Sequence, residues 1–325
     1  MGKAHATEDA LRAIKAIRDA PENYDLKRDL VSFLRHKSNH VIAAAADTVG
    51  RLEAFALAPE LIDAFAELMK NASERDPGCK ALIAIAKALA AMDQPAPKVY
   101  FAGIRHVQME GSFGPPVDAA APLRGLCAQG LARTSDPEAL NECVTLLADS
   151  ETAARAGAVR AIAETGQPAG LSLLRFKALI GDDDDEVAGE CFSALLSMDP
   201  AHSLEFVAWF LRRHSDEVAE RAALSLGESR LAAALPLLQQ AWEATSQATL
   251  RRTLLLAMAM LRQDEAVEFL LARVDQDPEK AAADALVALA LYARDDAVRK
   301  RVQEILDKRK NAALRSVFAK EFDRL

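Results

Sequence analysis

SDEVAERAALSLGES, residues 215–229, is the stretch whose reading decides the fold. A hydroxyl and two acids open it, as they open many helices. Apolar residues then fall at Val218, Ala222 and Leu226, every fourth position, which is one face of an α-helix. The same design recurs in SETAARAGAVRAIAETG, DDEVAGECFSALLS, SQATLRRTLLLAMAM and DPEKAAADALVALAL. Aligned, these segments put Ala154, Val187, Val218, Leu250 and Ala281 in one register, at spacings of 33, 31, 32 and 31 residues. Leu123, in LRGLCAQGL, lies 31 residues before Ala154. A fixed period in this range marks a repeat architecture.

Four residues into each helix the register holds Cys127, Ala158, Cys191, Ala222, Leu254 and Ala285. Small side chains dominate there, as expected where two helices cross closely. Eight residues in, Leu131, Ile162, Leu195, Leu226, Met258 and Leu289 complete a buried stripe. Between these inner (B) helices lies a second set of outer (A) segments, such as PEALNECVTLLAD and AHSLEFVAWFLRRH. Each period is therefore a helical hairpin. One hairpin cannot bury its own apolar faces, so neighbours must stack. The pattern predicts an all-α chain, a right-handed α-solenoid of about eight stacked hairpins.

Composition agrees. The 325 residues are 51% hydrophobic but only 5% aromatic, which favours small helix formers over strand formers, and no run reads as a strand. A net charge of −8 argues against a general nucleic-acid binder, because phosphate neutralisation needs a basic surface. Residues 295–325 carry 9 Lys/Arg against 6 Asp/Glu, a weakly basic end on an acidic body, read as a solvated cap. The four cysteines, Cys79, Cys127, Cys143 and Cys191, have no metal-type spacing and fit a reduced, cytoplasmic chain. The longest apolar run, Leu254 to Leu261, is too short to span a bilayer, so no membrane role is expected.

The B-helix pattern, an acidic cap followed by Val-x-x-x-Ala-x-x-x-Leu-Gly, resembles HEAT repeats of the ARM-type fold. The likeness is especially to the short kind also found in phycobilisome-lyase-like proteins, and it runs from about Ser38 to about Arg309. It implies one continuous solenoid over 1–325, with capping helices at 1–37 and a C-terminal capping helix at 310–325. HEAT helices often carry an Arg just after the Val. Arg124, Arg155 and Arg251 match that feature, whereas Ala188, Ala219 and Ala282 do not. The inter-repeat Asp–Arg ladder implied by the family is then interrupted, leaving those arginines partly free.

The period breaks toward the N-terminus. The preceding registers are Ala81 and Val41, at spacings of 42 and 40 residues, so each of these repeats has gained roughly 8 to 10 residues. The extra length falls near 71–78 and 107–117, in the turns from A to B helix, which share one edge of a solenoid and could touch. In the second insertion, glycines permit positive φ and Pro115-Pro116 forces an extended exit. His106, Gln108 and Glu110 alternate, which brings three polar groups to one side of an extended segment. Phe113 has no helical face to join, and Asp118 reads as the N-cap of the next helix.

Other chemistry is sparse. The Asp182–Asp185 run sits at a B-helix start and reads as capping rather than a cation site. His36 and His40 fall on different helices and lack a partner for zinc. No glycine-rich phosphate loop or nucleophile motif is present, and neither a cofactor nor a metal is expected. Trp209 and Trp242 lie on A helices, where each fills a gap between repeats. The expected function is a non-enzymatic scaffold that binds a protein or peptide on the concave B-helix face and the inserted edge. Its expected binding residues are His106, Gln108, Glu110, Phe113, Arg124 and Arg155. Two alternatives are a lyase-like or other enzyme subunit, and a small-ligand sensor with a pocket under 107–117.

Overall fold

A computed structural model describes residues 2–111, 114–212 and 215–323, and it forms two compact units, Met1–Leu173 and Leu174–Leu325. In the first unit the outer helices are α2 (Leu26–Leu34), α4 (Ala58–Met69), α7 (Pro97–Ile104) and α9 (Ala139–Leu146). Their inner partners are α3 (Asn39–Arg51), α6 (Lys80–Ala91), α8 (Ala121–Arg133) and α10 (Thr152–Glu164). Helix α1 (Gly2–Asp19) precedes them, and a short α5 (Ala72–Arg75) follows α4. Inner helices pack in series, α3 on α6, α6 on α8 and α8 on α10, and each also packs on its own outer helix. Helix α11 (Pro168–Ile180) spans the division between the units.

The second unit repeats the arrangement. Inner helices α12 (Asp185–Met198), α14 (Asp216–Glu228), α16 (Ala248–Met260), α18 (Glu279–Leu289) and α20 (Ala312–Phe322) pack in series. They alternate along the chain with outer helices α13 (Pro200–Phe210), α15 (Ala234–Ala244), α17 (Asp264–Gln276) and α19 (Asp296–Arg309). Each unit is thus an α-solenoid of stacked hairpins. The ends expected to be caps take part in it: α2 is the outer helix of the first hairpin, and α20 is the inner helix of the last.

The register read from the sequence is the core. Every residue at the fourth-position row, from Cys127 to Ala285, is 0% exposed, and so is every residue at the eighth-position row, from Leu131 to Leu289. Ala45 and Ile85, then Val49 and Leu89, extend the two rows through the two enlarged repeats, and Val41 and Ala81 start them. Small residues set the helix spacing. A Cβ placed on Gly157 would lie 2.3 Å from the Cα of Gly125, so α8 and α10 meet backbone to backbone.

Helix starts follow the acidic signals. Asp25 accepts the N–H of Arg28, Asp184 that of Glu186, and Asp295 those of Ala297 and Val298. Two others of the aspartate run pair with cations, Asp182 with Lys177 at 2.7 Å and Asp185 with Arg221. Trp242 is buried edge-on to Phe269, with the Arg251 guanidinium 3.9 Å from its ring centroid, whereas Trp209 remains 39% exposed. All four cysteines are buried and free, and burial pushes the Cys79 thiol up to about 12. No helix among the described residues is long and apolar enough to cross a membrane.

One local expectation is overturned. The inserted segment contains strands, β1 (Met109–Glu110) and β2 (Val117–Asp118), paired antiparallel with Met109 opposite Asp118 and Glu110 opposite Val117. Two-residue strands leave too little alternation to register as a strand pattern, and the Gly/Pro content of the segment reads as loop.

Candidate functional site

The hairpin formed by β1 and β2 sits on the edge where A helices turn into B helices, and the first insertion meets it there. The Gln108 side-chain amide donates to the Asp76 carbonyl at 3.0 Å, and the Gly78 N–H donates to Glu110 Oε1 at 2.7 Å. Gly78 reaches this position with φ of +76°, a conformation that strongly favours glycine. Asp76 is fully buried and caps α6: its carboxylate accepts the N–H groups of Ala81 and Leu82 and the side-chain amide of Asn39. The two enlarged turns are therefore fastened to each other and to α3.

His106, Gln108 and Glu110 do share one side, as their alternation predicts. His106 Nε2 lies 3.1 Å from Gln108 Oε1, and Gln108 Nε2 donates to Glu110 Oε1 at 2.6 Å. That side faces inward. Gln108 is 3% exposed, and its backbone N–H donates to Asp118 Oδ1 at 2.9 Å. The intervening Val107 and Met109 face water instead, 59% and 57% exposed, as does Val117 on the other strand, at 56%. The segment is amphipathic in the sense opposite to a typical surface strand, with polar groups in and apolar groups out. The polar residues were the visible candidates for a binding surface, yet the hairpin presents its aliphatic ones. Val107 and Met109 alternate with the polar set in the sequence, which marks two faces without saying which is buried. Phe113 lies outside the described residues.

Asp118 does not cap α8, whose N-cap residue is Ala120. Pro122 holds the helix start two residues beyond it, and the buried carboxylate serves as a counter-ion instead. Its Oδ2 accepts from Arg124 at 2.6 Å and its Oδ1 from the Ala120 N–H at 3.0 Å. Arg124 also binds the Asp149 carboxylate with two parallel hydrogen bonds of 2.8 Å and donates to the His106 carbonyl at 2.9 Å. Arg124 is 3% exposed, and Arg155 is 8% exposed, donating to the carbonyls of Asp149 and Ser150 at 2.9 Å each. In the second unit Arg251 does the same with Trp242 and Thr245 carbonyls. The arginines expected to be partly free are committed internally, since each lies one residue past the buried register and folds back onto the preceding turn. Arg124 and Arg155 brace the edge rather than offer themselves to a partner. The Gln108, Asp118 and Arg124 side chains at the hairpin are themselves buried.

Electrostatics makes this brace sensitive to acid. Burial pushes the Asp118 carboxyl up, but the N–H donors of Gln108 and Ala120, with Arg124, outweigh it and hold the group below the usual carboxylate range. A carboxyl lowered on folding stabilises the protein above its unfolded value, about 4, and that stability is lost as pH falls through the folded value. Urea midpoints followed from pH 7 downward should therefore fall below about pH 4. Asp118→Asn should lower the midpoint at pH 7 and flatten its acid dependence.

Comparison with known proteins agrees with the repeat reading. The sequence profile of HEAT repeats matches residues 117–196, from β2 into α12, so that stretch is HEAT-repeat sequence. Among solved structures the chain is similar to an engineered protein, at 18% identity and TM-score 0.39, covering 98% of this chain and 93% of that one. It is similar to human deoxyhypusine hydroxylase in complex with glycerol, at 18% identity and TM-score 0.32, covering 84% and 98%. It is also similar to the complex of CpcE and CpcF of phycocyanin lyase from Nostoc sp. PCC7120, at 14% identity and TM-score 0.36, covering 86% and 93%. No curated protein sequence matches the chain.

Proposed function

We propose that this HEAT-repeat chain is a non-enzymatic scaffold of the cytoplasm that holds another protein on its B-helix face and on the hairpin edge. One observation carries the reading. A β-hairpin with three aliphatic side chains more than half exposed is fastened onto a helical frame by buried hydrogen bonds from Asp76, Gln108, Glu110, Asp118 and Arg124. Solvated loops do not need such bracing, and apolar groups presented on a rigid support are what partner surfaces use. His106 and Glu110, both half-buried at the base of the hairpin, are placed to form its polar rim. The buried, unpaired thiols suit a reducing compartment.

The test is substitution rather than excision, since removing 108–116 would also take Gln108 and Glu110 out of the brace. Tagged wild-type protein and the Val107→Ser/Met109→Ser/Val117→Ser variant are compared by affinity capture from the native host and mass spectrometry. The variant should keep its circular dichroism and melting temperature and lose the captured partner by about tenfold or more, the effect of removing a hot spot. Equal capture by both proteins would overturn the hairpin as a binding edge.

A further inference from the structure

The B-helix face of the first unit contains a groove between α3 and α6. Its floor is apolar, made by Gly50, Ile83, Ala84 and Ala88, and its rim carries Arg51, Lys80 and Lys87 with one acid, Asp47. Gly50 lets the two helices approach closely, since a Cβ there would lie 3.0 Å from the Cα of Ala88. Arg51 is engaged by Asp47 at 2.7 Å. Lys80 and Lys87 are exposed, and among the described residues neither forms an ion pair. They are seven residues apart on α6, two helical turns and about 10 Å along one face. Lys80 opens α6 directly after Gly78 and Cys79, so the groove begins where the hairpin is fastened.

In the second unit the groove between α12 and α14 has the opposite character. It is lined by Glu186, Glu190 and Glu228, and its Arg221 is engaged by Asp185. Two ammonium groups outside any ion pair among the described residues thus stand over the aliphatic floor of the α3–α6 groove, Lys80 near enough to Glu110 to favour its ionised form.

We propose that the α3–α6 groove seats an acidic amphipathic helix of the partner, with carboxylates two turns apart on Lys80 and Lys87 and small aliphatic side chains between them against Ile83 and Ala84. The inference rests on the scaffold reading above and supplies the partner's chemistry. Charge complementarity selects an acidic segment. A cleft between two helices accepts a third laid along it. Nucleic acid fits less well, because no aromatic ring lines the groove for base stacking.

The experiment uses the full chain and a defined probe, a fluorescent synthetic helix of about three heptads with glutamate at every seventh position and Leu and Ala between. Anisotropy titrations at low salt compare this probe, its Glu→Gln twin and a labelled oligothymidylate. The wild-type protein is expected to bind the acidic helix in a salt-sensitive way. Lys80→Glu/Lys87→Glu should weaken it at least tenfold with circular dichroism unchanged, the Gln twin should bind as weakly, and Glu186→Lys/Glu190→Lys should bind like wild type. No binding by wild type, equal affinity of the Lys80→Glu/Lys87→Glu variant, or tighter binding of oligothymidylate would each overturn the proposal. The hairpin variant run alongside separates the two readings. Loss of the synthetic helix only from the lysine variant, with native capture intact in the hairpin variant, keeps the groove and removes the hairpin edge. Loss of native capture from the hairpin variant, with the synthetic helix indifferent to the lysines, does the reverse.

Discussion

Replacing Arg124 by Met should destabilise the first unit by about 3–5 kcal/mol, the range found when one partner is removed from a buried ion pair. The guanidinium is 3% exposed and stands between two carboxylates, Asp118 at 2.6 Å and Asp149 at 2.8 Å. Removing it leaves both anions facing each other in a poorly solvated space and also orphans the His106 carbonyl. Met fills most of the volume, so the loss reports charge rather than a cavity. Urea denaturation should show the early part of the transition moving to lower denaturant. Asp118→Asn/Arg124→Met/Asp149→Asn should recover part of the loss, because it removes the uncompensated charges together. A single-variant midpoint within error of wild type would mean that Asp118 and Asp149 are relieved by water.

Gly157→Val should be at least as damaging. A Cβ alone at that position would lie 2.3 Å from the Cα and 3.0 Å from the carbonyl carbon of Gly125, and neither atom is the movable end of a side chain. The helices must separate; overpacking typically costs about 1–3 kcal/mol, and more where backbone meets backbone as here. Two further methyl groups follow the Cβ into the same interface. Loss of cooperative thermal unfolding in the first unit is expected, with Gly157→Ala intermediate. The control is Gly166→Ala, whose Cβ would meet nothing within 4 Å but whose φ of +63° carries a modest strain.

The solenoid was legible because a repeated register reports burial directly: the small residue at the fourth position recurs wherever two inner helices touch. Length differences between repeats located both insertions, and their shared edge foretold that the turns would meet, as the Gln108–Asp76 and Glu110–Gly78 bonds do. The direction of the hairpin was not legible. Alternation separates His106, Gln108 and Glu110 from Val107 and Met109, but it does not say which set faces in. That depends on Asp76 in the first insertion, Asp118 in β2 and Arg124 in α8, which together create a polar interior for the segment to face. The same long-range assembly hid the fate of Arg124 and Arg155. An arginine near a helix start reads as solvent-facing until the carboxylate and carbonyls waiting for it are placed.

The shared brace also bears on how such a chain can change over generations. A solenoid grows and shrinks by duplicating or deleting whole hairpins, because each one touches only its neighbours. In the second unit the ties between hairpins include surface pairs, such as Arg252 with Asp284 and Arg301 with Glu268, which a replacement hairpin could give up to water at small cost. The first unit has lost that freedom. Asn39, Asp76, Gln108, Asp118, Arg124 and Asp149 come from successive hairpins and complete one another's hydrogen bonding. Excising or copying any one of those hairpins would strand a buried charge or amide in its neighbour. Its modules have become parts, fixed in number and order.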